Sequence, residues 1–166
     1  RWNDYGIGLL LESAGGGAGQ GELIGAEEAF RKVEELGQFH GPINLARVYN
    51  ADGRLDLAVE ALTRAADYQN DENYPAWTVL WLTGLVNRQQ NHLDDAIENF
   101  RGALNYRTAA TVARGFDFTQ DYEVLNELAF TLFERSKKET GTDRTERRLA
   151  LLDEAIRTIE ATLAID

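Results

Sequence analysis

The 166-residue chain has no cysteine and no methionine, only two prolines and two histidines, and far fewer positive charges than negative ones. Without cysteine it has no disulfide, thiolate metal site, cysteine nucleophile or covalent haem attachment of its own. Methionine is missing even at position 1, so a chain opening Arg1-Trp2-Asn3 is expected to be processed or part of something longer. Long apolar runs are also missing, so neither a signal peptide nor a membrane-inserted segment is expected. Val, Ile and aromatic residues do not alternate with polar ones over any convincing stretch, which removes the signature of strands. The expected class is all-α.

Positive charge is the next shortage. Seventeen basic residues face 28 acidic ones, for a formal charge of −11. Such a surface repels phosphate backbones, so nucleic acid is not an expected partner, and anionic membrane surfaces are disfavoured likewise. The two histidines, His40 and His92, fall at different helix starts, each without a ligand partner at metal-site spacing. A metal site needs three or four converging groups, so neither metal nor cofactor is expected. No Gly-x-Ser-x-Gly elbow or His-Glu-x-x-His pair occurs. The acidic pairs Glu27-Glu28, Glu34-Glu35 and Asp94-Asp95 are adjacent and diverge around a helix, whereas glycosidase carboxylates must face each other across a cleft. No catalytic residue and no enzymatic activity is expected.

What the chain does have is a recurrence. Ala26-Phe30-Val33, Ala58-Leu62-Ala65, Ala96-Phe100-Ala103 and, more loosely, Ala155-Ile159-Thr162 each take a step of four and then a step of three. Those steps place all three side chains on one helical face, where the small residue admits a neighbouring helix and the large one fills the gap beside it. The spacing predicts helices over 2–12, 22–36, 42–51, 54–67, 75–88, 92–105, 121–137 and 143–165. Gly37 and Asp52-Gly53 supply turns. Asn91 with Asp94 and Asp143 with Glu146 are the expected helix caps. The glycine-rich tract 13–21 lacks a Gly-Lys-Ser/Thr ending and a preceding strand, so it reads as a connector rather than a phosphate loop. Segment 107–120 breaks the pattern, and its Phe116 and Phe118 are expected to fold back onto the helices.

The helix pairs resemble tetratricopeptide repeats, whose unit is a helix–turn–helix of about 34 residues. Leu45-Ala46, Tyr49, Gly53, Ala58, Leu62 and Ala65 fall on that motif in order. Gly84, Ala96, Phe100 and Ala103 carry the third unit, Ile7-Gly8 with Ala26-Phe30 the first, and Leu128-Ala129 with Ala155-Ile159 the fourth. The units are irregular, and the proline that usually closes each is absent. The resemblance implies one domain over 1–166, a right-handed α-solenoid of antiparallel helix pairs in about four repeats (2–37, 40–68, 75–106 and 121–166).

It also implies a concave groove lined by the first helix of each pair and binding a protein or peptide. Matched position by position, the groove would present Tyr5, Leu9 and Glu12; Ile43, Arg47 and Asn50; Thr78, Trp81, Leu85 and Arg88; and Asn126, Phe130 and Phe133. Trp81 would supply apolar area, and Arg47 and Arg88 would meet a carboxylate. Family members that capture C-terminal carboxylates use Lys and Asn at several of these positions, where Ile43 and Trp81 stand here.

Fragments such as Arg1-Trp2-Asn3-Asp4-Tyr5-Gly6, Asn44-Leu45-Ala46-Arg47-Val48-Tyr49 and Phe116-Asp117-Phe118 are similar to repeat regions of secreted bacterial multihaem cytochromes. That similarity implies a haem-free interaction domain in a periplasmic or extracellular setting. The last helix opens a further alternative. Leu152, Ile156, Ile159 and Leu163 give it more apolar surface than one preceding helix covers. Further sequence, a partner, or the first repeat of another copy must cover it, the last giving head-to-tail assembly.

Overall fold

A computed structural model describes residues 1–14 and 20–165, with nothing to be said of the side chains at 20 and 21. Most of the glycine-rich tract lies outside the described residues. These hold nine α-helices, no strand and one short 3-10 turn at Phe118–Gln120. The helices are α1 (Trp2–Ala14), α2 (Gln20–Glu35), α3 (His40–Ala51), α4 (Leu55–Ala66), α5 (Ala76–Gln89), α6 (Leu93–Leu104), α7 (Ala109–Ala113), α8 (Tyr122–Ser136) and α9 (Arg144–Leu163). The chain forms two compact units, Arg1–Leu82 and Thr83–Asp166, with the division inside α5.

In the first unit α1 packs on α2, α2 on α3 and α3 on α4. The anchors of the recurrence are its core: Ala26, Phe30 and Val33 from α2, and Ala58, Leu62 and Ala65 from α4, are buried. Gly6 decides how closely α1 approaches. A Cβ there would lie 2.7 Å from the Phe30 ring, so only glycine lets the two helices meet over that side chain. Gly8, the glycine of the first repeat in the sequence pattern, is not at this contact: a Cβ there meets nothing within 4 Å. Gly37 and Gly53 take φ of +71° and +73° at the two turns, a conformation that glycine adopts without steric cost.

In the second unit the same device recurs. A Cβ at Gly84 would stand 2.5 Å from the ring of fully buried Phe100, which seats the later part of α5 on α6. Asn87 donates to Asn99 at 2.8 Å across the same pair. Further along, α6 packs on α8 and α8 on α9. Ala155 and Thr158 are the buried residues of α9, which packs on α8.

Three local expectations are corrected. Asn91 is not an N-cap: it sits at φ +65° in the turn after α5, where a short amide side chain tolerates the left-handed region. Asp143 precedes α9 but makes no capping hydrogen bond, whereas Asp121 accepts from the Val124 amide at 3.0 Å and does cap α8. Of the two aromatics in 107–120, Phe118 is half-buried with its ring 6.1 Å from Tyr106, while Phe116 stays exposed.

Candidate functional site

Seven of the 14 arginines hold carboxylates through their side chains. On α2 of the first unit, Glu27 accepts from Arg31 at 2.7 Å, from Arg54 at 2.8 Å and from the Tyr49 hydroxyl at 3.1 Å. Burial works against this charge, but the hydrogen bonds from Arg31, Arg54 and Tyr49 outweigh it and hold the carboxyl below the ordinary glutamate value. Arg64 reaches Glu34 at 2.6 Å, joining α4 to α2. In the second unit Arg101 grips Glu154 of α9 through two nitrogens, Nη2 at 2.6 Å and Nε at 3.0 Å, and Arg135 pairs with Asp94 at 2.6 Å. Apart from Arg31, which lies on α2 with Glu27, each of these ties together segments separated in sequence within the same unit.

The expected groove residues separate into distinct settings. Tyr5 lies edge-on to Trp2 with ring centroids 6.5 Å apart. The two rings border a depression of about 310 Å³ over α2, lined also by Gly25, Glu28 and Lys32. Leu9 is half-buried, and its side chain fills the space beside Gly25. Ile43 is buried and belongs to the core rather than to an open surface. Trp81 is half-buried and stacks on Trp77, rings 6.5 Å apart and 11° from parallel. Asn50 and Leu85 are half-buried. Arg47 is exposed, yet partial desolvation pushes its guanidinium below the ordinary arginine value. Among the described residues its side chain has no hydrogen bond or ion pair.

Within the second unit the structure brings several expected residues together. Asn126, Phe130 and Phe133 follow one another at steps of four and three on one face of α8, and Lys137, the residue that ends the helix, comes four further on. Phe130 and Phe133 are 59% and 47% exposed, although their neighbours Leu128, Ala129 and Leu132 are buried. A cation stands over each ring: the Arg88 guanidinium 6.0 Å from the Phe130 centroid and the Lys137 ammonium 4.7 Å from that of Phe133. Arg88 is itself ion-paired with Glu127 and, at 3.7 Å, with Glu134. Its charge is therefore engaged inside the unit, and the open feature of this face is aromatic.

Sequence reasoning missed two parts of this surface. Lys137 was signalled by its place four residues after Phe133. Glu127 and Glu134 were not signalled, because their pairing with Arg88 joins two helices far apart in the chain. Among the described residues no group of three or more His, Cys, Asp or Glu side chains could hold a metal ion. No helix among them is long and apolar enough to cross a membrane. No protein-family model matches the chain and no curated protein shows significant similarity to it.

Proposed function

We propose that the chain is a tetratricopeptide-like right-handed α-solenoid acting without catalysis as a protein-interaction module, which takes a protein or peptide segment on the faces of its first helices. The exposed aromatic pair Phe130 and Phe133 on α8 carries this reading. A soluble helix usually buries its large aromatics, and aromatic rings left in solvent at helical spacing are what interface hot spots are made of. The flanking Arg88 and Lys137 stems extend the apolar surface while their charges stay wet. In the first unit, Arg47 offers an unpaired cation to an acidic group of the same kind of partner.

Selection from a randomised peptide display library against the whole protein tests the proposal. Selected peptides are expected to bind wild type and to lose about 10-fold or more in affinity against the double variant Phe130→Ala/Phe133→Ala. Both side chains are exposed, so circular dichroism of that variant should match wild type. Failure to enrich any peptide, or equal binding to the variant, would overturn it.

A further inference from the structure

One face of α9 carries a regular apolar stripe. Leu149, Leu152, Ile156, Ile159 and Leu163 follow at steps of three, four, three and four. That is the a and d spacing of two heptads, about 21 Å long at 1.5 Å per residue. The stripe lies roughly a third of a turn round the helix from Ala155 and Thr158, its buried residues. Four of its five members are open and Leu152 is half-buried: Leu149 is 55% exposed, Ile156 54% and Leu163 78%. A heptad seam is a more specific object than a greasy patch, because its natural filler is another helix carrying the same pattern.

The charges along its borders select the filler. Taking Leu149 as a, the g-type border carries Arg148, with Arg144 and Lys137 lining the adjoining depression of about 520 Å³ beside Leu149 and Leu152. The e-type border carries Asp153 and Glu160. Arg31, Arg54, Arg64, Arg88, Arg101, Arg135 and Arg147 all hold carboxylates. Arg148 and Asp153, like Arg47, Arg107, Arg114, Arg144 and Arg157, carry no ion pair among the described residues, so both are available to a second helix. In a parallel two-stranded seam, a g residue meets the e residue five positions further along the other helix. That partner of Arg148 is residue 153. An antiparallel pairing would instead set Asp153 against Glu160, acid on acid.

We propose that this face is an interface between two copies of the chain, α9 pairing in parallel with α9 of the second copy about a two-fold axis. Arg148 of each copy meets Asp153 of the other, so both bridges form at once. The contact is isologous and closes on itself, unlike the head-to-tail arrangement that an uncovered terminal helix first suggests. It uses α9 and not the aromatic face of α8, so it stands or falls separately from the peptide-binding reading.

Light scattering after size exclusion, across a wide concentration range, measures the mass. Twice the 18.6 kDa chain mass at high concentration is expected. Ile156→Asp should raise the dissociation constant by roughly 100-fold or more, since the side chain is buried once in each copy. Asp153→Arg should weaken pairing roughly 5- to 30-fold, and the swap R148D/D153R should restore it. The absence of cysteine gives a direct reading of register. Leu149→Cys alone should form a disulfide-linked dimer on mild oxidation, because a positions meet like positions only in a parallel seam. A monomer at every concentration, a mass growing beyond two chains, strengthened pairing in Asp153→Arg, or a dimer in which Leu149→Cys does not cross-link would each overturn the proposal.

Discussion

A single β-carbon decides more here than most charged pairs do. Gly6 and Gly84 each lie against a phenylalanine ring with no solvent exposure, at distances where a Cβ cannot fit without moving that ring. Gly6→Ala should therefore destabilise the protein by about 1–2 kcal/mol, overpacking outweighing the gain in helix propensity. Gly8→Ala, two residues along the same helix, should stabilise it by about 0.5–1 kcal/mol, because its Cβ enters open space. Urea titrations of the two variants check the contrast, and the same sign for both would refute the packing account. The anchors Ala26, Phe30, Ala96 and Phe100 were legible from their spacing alone. Which of two neighbouring glycines faces Phe30 was not, because one residue turns the helix by about 100° and the entry angle of α1 depends on its partner.

At the level of the element, caps and faces follow different rules. Eight helices were readable, since apolar periodicity is a property of the chain itself, while the short α7 inside 107–120 was not. Caps were not, because a carboxylate at the right position must also adopt the right backbone angles. Asp121 has an extended ψ of 105° and bonds the Val124 amide, while Asp143 has a ψ of 19° and bonds none. Asp121→Ala is thus expected to cost about 1 kcal/mol. Asp143→Ala should cost less than about 0.5 kcal/mol, what remains being its charge near the start of α9. Thermal unfolding followed by circular dichroism separates the two; equal losses would show that the side-chain bond at Asp121 is not what matters. The aromatic face of α8 was partly foreseen through Asn126, Phe130 and Phe133. The commitment of Arg88 to Glu127 and Glu134 was not, because salt bridges between helices depend on how the helices lie.

For the molecule as a whole, acid should act in two separable steps. The formal charge of −11 falls to zero near pH 4.6, so solubility should pass through a minimum there while the helices persist. Glu27 titrates below its ordinary 4.5, so its hydrogen-bonded network survives that point. A carboxyl with a depressed folded pKa stabilises above the unfolded value and ceases to do so as pH falls through the folded one. Glu27→Ala should cost about 2 kcal/mol at pH 7, and the difference from wild type should shrink progressively below pH 4.5. Turbidity and denaturant titrations against pH test both steps, and a pH-independent difference would remove the carboxylate from the account. From the sequence alone, the absence of strand patterning, the eight longer helices, the alanine–phenylalanine core and the acidic balance were determined. Each of these depends on the order and type of residues along one chain. The tertiary structure decided which glycine admits a ring, which arginines are spent and which stay free, and which aromatic residues remain in solvent. Those depend on distances between helices far apart in sequence, and no local periodicity encodes them.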